Sequence, residues 1–144
     1  MIRHAGLIAA RVDGHWAGIL IEGPSGSGKS DLALRALDRG FRLVADDRVL
    51  VWVDDGRLYG RSPETIRGLM EVRGTGIAAI TPLPFCRIVL LARLGALERM
   101  PEPATEAILD VPLQRLAVAA FEESAPAKLG RALAAFDAAH KRRI

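Results

Sequence analysis

The chain has 144 residues, 50% hydrophobic and 26% charged, with 20 Lys plus Arg against 17 Asp plus Glu for a formal net charge of +3. This is enough chain for one domain, residues 1–144, with its own core, and the composition excludes a disordered polyampholyte. The mild basic excess, much of it in the terminal HKRRI, reads as a solvated chain end, so neither nucleic acid nor membrane is an expected partner.

Ala5 to Val12 and Trp16 to Glu22 are strand-like runs flanking Asp13-Gly14, a hairpin turn signal. GPSGSGKS follows, then DLALRALDRG, an apolar-spaced helix ended by Gly40. Arg42 to Ala45 is a short buried strand, and Val49 to Val53 with Arg57 to Tyr59 bracket Asp54-Asp55-Gly56 as a second hairpin. SPETIRG holds a loop or short helical turn, followed by an apolar stretch from Met70 to Val72 and a glycine turn from Arg73 to Gly76. Cys86 is the only cysteine, which rules out an internal disulfide; it fits a reducing compartment and reads as a half-buried small hydrophobe. Arg87 to Leu94 is the most hydrophobic strand, PEPATE is linker-like, and Ala107 to Val111 is expected as a last strand. KLGRALAAFDAAHK reads as an amphipathic helix with Ser124 as N-cap. No secretion signal opens the chain and no apolar run is long enough to cross a membrane, so a cytoplasmic location is expected. Strands outnumber helices and hairpins precede the glycine loop, which points to an α/β fold with a mixed sheet and an N-terminal hairpin.

Gly23, Pro24, Ser25, Gly26, Ser27, Gly28, Lys29 and Ser30 satisfy G-x-x-x-x-G-K-[ST] between an apolar strand and a helix. The glycines let backbone N–H groups close on an anion, and the helix presents its positive end to phosphate. Lys29 can bridge the β- and γ-phosphates of a nucleotide, and Ser30 can offer its hydroxyl to Mg²⁺.

LVADD ends a strand on two adjacent acids, Asp46 and Asp47, whose side chains would leave a flat strand on opposite faces. A local bend before Arg48 would turn both into one cleft, one assisting the metal and the other accepting a proton from an attacking hydroxyl. The alternative is a structural pairing with Arg48 or Arg42. In MEVRGTGI, Glu71 is a candidate metal carboxylate and Arg73 a candidate stabiliser of transferring phosphate, although taken alone the same residues read first as a surface pair beside a turn.

Taken in order, His4, GPSGSGKS, LVADDRV and EVRGTGI resemble the catalytic domain of the HPr kinase/phosphorylase family over roughly the first eighty residues. The resemblance implies a P-loop kinase core related to phosphoenolpyruvate carboxykinase. It implies ATP and Mg²⁺ as cofactors, Lys29 as the phosphate lysine, Ser30 and Glu71 as metal ligands, and the acid pair, Asp47 foremost, as acid/base. It places His4 near the site. The reaction implied is phosphorylation of a serine on an HPr-type phosphocarrier, with weak reverse phosphorolysis, by a short alphaproteobacterial-type form that is only the catalytic domain and assembles as a homo-oligomer, a hexamer. The arginine segment of P-x-R-P-G-R-N type is not recognisable, and Arg115 or Arg131 stand nearest to it. A small-molecule P-loop kinase would carry a lid for which LERMPEPATE is short and Pro-rich; a nucleotide-binding regulatory module without turnover is the non-enzymatic alternative.

Overall fold

In the computed structural model, which describes residues 1–95 and 104–141 and the side chains of the last helix up to residue 136, the chain opens with a two-residue strand β1 (Ile2–Arg3). The Asp13–Gly14 hairpin follows as β2 (Gly6–Val12) and β3 (His15–Glu22). Helix α1 (Lys29–Leu37) rises from the glycine loop and gives way to β4 (Arg42–Ala45). The second hairpin is β5 (Val49–Asp54) and β6 (Arg57–Arg61), and a single 3₁₀ turn, Glu64–Ile66, comes next. The apolar stretch at Met70 is one arm of a hairpin, β7 (Leu69–Val72) with β8 (Gly76–Ala79). β9 (Cys86–Leu94), β10 (Ala104–Ile108), β11 (Val111–Val118) and α2 (Ala125–Lys141) complete the described chain.

Nine strands form one sheet in the order β1-β5-β6-β9-β3-β2-β4, with β11 also on β9 and β10 on β11. The β3–β9 and β9–β11 pairs are parallel and the others antiparallel, the mixed sheet expected. β6 takes the first residues of one edge of β9 and β11 the last, so the sheet branches along a single strand. Period-two alternation divides the apolar side chains between two cores. Ile8, Ile19 and Ile21 face α1 and α2, where Leu32, Leu129 and Leu133 meet them. Leu7 and Leu20 face the other way, against Val51, Leu58, Ile88 and Leu113.

Two bulges reset this alternation. Ile19 pairs with Leu90 where Gly18 pairs with Ile88, so Val89 is an extra residue in β9, and Val89 and Leu90 both join the helix-side core. In β4 the pairing steps from Ile8–Leu43 to Leu7–Ala45, and Val44 and Ala45 both enter the opposite core. A bulge re-aims whatever follows it, and here Asp46 follows.

The last third departs from the sequence reading. The expected strand from Ala107 to Val111 is instead the tip of a hairpin: Leu109 and Asp110 turn with φ of 49° and 65° between β10 and β11. A Leu in left-handed conformation carries no turn signal, and Pro112 argues against the strand it occupies. It is accommodated because β11 pairs with β9 only from Gln114 onward. Of PEPATE, Ala104–Glu106 open β10, while residues 101–103 lie outside the described chain. Cys86 is fully buried rather than half-buried, and burial pushes its thiol up to about 12. Ser124 directly precedes α2 and its carbonyl accepts the Lys128 N–H at 2.9 Å, as at an N-cap. Among the described residues no helix is long and apolar enough to cross a membrane; the side chains of HKRRI lie outside them.

Candidate active site

β3 delivers the glycine loop from a fixed end. Glu22, its last residue, is buried, and Arg3 clasps its carboxylate with two bonds of 2.7 Å. That bond holds the Arg3 guanidinium above its usual range. Arg93 and Glu106 extend the cluster, and Arg115 joins it at 3.3 Å from Glu106. The Ser27 N–H bonds the Pro24 carbonyl at 3.0 Å to turn the loop, and the Gly28 carbonyl accepts the first helical bond, from Leu32. Gly28 has φ of 97°, and a Cβ there would lie 2.9 Å from the ring of Phe121, so conformation and contact both require glycine. Lys29 Nζ curls over the loop, donating to the carbonyls of Gly23 at 2.8 Å and Pro24 at 3.1 Å.

The adjacent acids behave differently. Past the β4 bulge Asp46 turns back toward the helix face and is buried, one oxygen accepting the Ser30 hydroxyl at 2.8 Å and the other the Glu71 N–H at 3.1 Å. It ties the first turn of α1 to the β7–β8 hairpin. At Asp47 the chain bends sharply: its φ is 71°, and the Arg48 N–H bonds the Asp46 carbonyl at 2.8 Å across it. This is a γ-turn of the positive-φ kind, a strained conformation for any residue but glycine. The bend exposes the Asp47 carboxylate, which lies 2.8 Å from His4 Nε2 and 3.9 Å from Arg48 Nε. Arg42 is not the partner of either acid; it stacks over Trp16 and bonds the Thr81 carbonyl.

A cleft of about 580 Å³ gathers these groups. The loop and α1 contribute Ser25, Gly26, Gly28, Lys29, Ser30, Asp31 and Leu34; His4 and Asp47 line it as a bonded pair; the β7–β8 hairpin brings Glu71, Val72 and Arg73. Met70, 1% exposed in the helix-side core, pins that hairpin so that Glu71 projects outward. Gly23, Pro24, Ser27 and Asp46 are not among the lining residues, and Ser27 Oγ is buried without a hydrogen-bond partner. Neither Arg115, engaged by Glu106, nor Arg131 lines the cleft, so neither takes the place of the missing arginine motif there. Sequence reasoning missed Phe121, which completes the lining, and Arg35, which anchors its segment; an isolated Phe in AAFEES carries no motif.

The ligand groups offered are all oxygen: the Ser30 hydroxyl, the Asp46 carboxylate that accepts it at 2.8 Å, and the Glu71 carboxylate on the cleft lining. That set suits a small hard cation such as Mg²⁺, which takes one or two carboxylates together with substrate phosphates. Among the described residues no three His, Cys, Asp or Glu side chains form a metal-holding group.

A phosphate loop at the carboxyl end of a strand flanked by a parallel neighbour, opening a helix and facing acids from the next strand end, defines a P-loop protein on a mixed sheet. The family model of the HPr Serine kinase C-terminal domain matches residues 4–85, more than half the sequence, and the chain belongs to that family. It is 53% identical over 72 residues to an HPr kinase/phosphorylase from Clostridium beijerinckii and 49% identical over 73 residues to one from Streptococcus thermophilus. Each match covers 50% of this chain but only 24% of the relative. A solved structure of the HPr(Ser) kinase/phosphatase from Coxiella burnetii superposes with a TM-score of 0.75 at 25% identity, covering 100% of this chain and 99% of that one.

Proposed function

We propose that this chain is a catalytic domain that transfers the γ-phosphoryl group of ATP to a serine hydroxyl of an HPr-type phosphocarrier protein. The observation that carries the reading is the exposed Asp47 carboxylate, held by His4 in the same cleft that Lys29 and Ser30 line. A serine hydroxyl is a weak nucleophile until a carboxylate takes its proton. Asp47 accepts that proton as the serine oxygen bonds to the γ-phosphorus, and the bond from phosphorus to the β–γ bridging oxygen breaks to release ADP. His4 keeps the Asp47 carboxylate oriented. Lys29 leaves the Gly23 and Pro24 carbonyls for phosphate oxygens, and Arg73 neutralises charge on the equatorial oxygens. Ser30 and Glu71 would hold Mg²⁺, which when bound offsets the phosphate charge. Asp46 keeps Ser30 and the Glu71 backbone in register for that task.

The test is incubation of the purified chain with HPr, ATP and Mg²⁺, read by intact mass. A phosphoryl adduct on HPr is expected, and Lys29→Ala should lower its rate by about 10²–10³-fold, the scale of losing one charge-stabilising group. No adduct on HPr, or a Lys29→Ala variant with near-normal turnover, would refute the assignment.

A further inference from the structure

The parallel part of the sheet supplies the cleft with a wall that none of the catalytic roles uses. β3, β9 and β11 run in one direction, so the segments leaving their carboxyl ends emerge along one rim, where open α/β sheets bind ligands. β3 leaves into the phosphate loop, and β11 leaves at Val118 into residues 119–124. Arg35 of α1 clamps that segment. Its Nη1 donates to the Glu122 carbonyl at 3.0 Å and its Nη2 to the Ala120 carbonyl, while Asp31 holds its Nε at 2.9 Å. The two clamped carbonyls flank a single residue, Phe121.

Phe121 is 65% exposed, although the backbone on both sides of it is held by Arg35. Its ring lies against Gly28, where a Cβ would come within 2.9 Å of Cζ, and it lines the same cleft as Lys29, Ser30 and Leu34. An exposed phenyl ring contributes little to folding, because its area stays in water. Nor can it bind phosphate, having no donor and no charge. A flat apolar face set beside a polyanion site complements a molecule that joins phosphates to a flat ring.

We propose that Phe121 is the stacking platform for the base of the nucleotide whose phosphates the glycine loop holds, with Leu34 as the apolar floor beside it. This assignment rests on the nucleotide reading above. Stacking accepts any base with a π-face, so the platform distinguishes nucleotides from bare polyphosphates rather than one purine from another.

Calorimetric titration of the full chain with ATP and with inorganic tripolyphosphate, both with Mg²⁺, separates the two ideas. Phe121→Ala should lose about 5- to 150-fold in ATP affinity, the span of base–aromatic stacking, and keep its tripolyphosphate affinity, while Phe121→Tyr binds ATP as the wild-type chain does. Should the alanine variant fold poorly, Phe121→Leu keeps apolar bulk without the π-face and carries the same expectation. Equal losses for both ligands, or no loss for ATP, overturn the platform. A wild-type chain that binds neither ligand overturns the nucleotide reading and the platform with it.

Discussion

Asp46 and Asp47 are neighbours in the chain with different electrostatic surroundings. Asp46 spends both oxygens on protein donors, whereas Asp47 faces the cleft with one oxygen on His4. Substitution by Asn should therefore separate them. Asn tolerates left-handed φ about as well as Asp, so Asp47→Asn removes the charge while leaving the γ-turn intact. Its kcat should fall about 10²–10⁴-fold, the effect of losing a general base, with little change in melting temperature. Asp46→Asn puts an amide N–H₂ toward either the Ser30 hydroxyl or the Glu71 N–H. The first is the one adopted, since the second would set donor against donor. The amide then occupies a Ser30 lone pair that a cation would use, and two charge-assisted bonds become weaker neutral ones. The Asp46 variant should melt lower and need more Mg²⁺ for half-maximal rate. Steady-state kinetics over a Mg²⁺ series, with thermal melts, checks both; wild-type kinetics with lowered stability in both variants would show the pair to be structural.

At the scale of elements, the β3–β9 pair positions the loop, and it is packed closely enough to exclude one methyl group. A Cβ at Gly18 would stand 2.5 Å from Cys86 Sγ and 2.7 Å from the Arg87 carbonyl, near the start of the parallel ladder. The sulfur is enclosed and the carbonyl belongs to the strand, so neither yields cheaply. Gly18→Ala should destabilise by about 1–3 kcal/mol, as overpacked cores do, and lower the urea midpoint without changing the slope. An unchanged midpoint would mean that β3 and β9 can separate without cost. The β7–β8 hairpin works by the opposite means, anchored by one buried side chain, Met70, and by the Glu71 N–H bond to Asp46.

Across the whole molecule, the distribution of cations bears on the direction of the proposed reaction. Lys29 and Arg73 line the cleft, whereas Arg3, Arg93 and Arg115 are gathered around Glu22 and Glu106 outside it. Phosphorolysis of phosphoserine must bring free phosphate up to a second anion. Two unit charges about 4 Å apart repel by about 4 kcal/mol at an effective dielectric near 20, and leaving about a third of that uncompensated slows a step about tenfold. Pyrophosphate release from phosphoserine-HPr plus phosphate should therefore run about tenfold or more below forward transfer under matched conditions. Equal rates would contradict this and require a cation that the described cleft does not show.

The loop, its flanking strand and helix, and both early hairpins were legible because each is a local pattern: glycine spacing, alternation, or a turn dipeptide read over a few residues. The order of the loop, LVADD and EVRGTGI also pointed to the family. What the sequence left open depended on contacts across long separations. That Asp46 belongs to Ser30 and Asp47 to His4 follows from a bulge in β4 and a γ-turn, and neither has a residue signature. The β10–β11 hairpin was hidden because Leu109 and Pro112 violate local preference and are held there by pairing of β11 with β9 and packing of Ile108 and Leu113. Phe121 reaches the cleft only because β11 runs parallel to β9 and Arg35 fastens the segment that follows. Propensity acts between neighbours in the chain, whereas strand order and burial bring together residues some ninety positions apart, and only the folded backbone sets which of them meet.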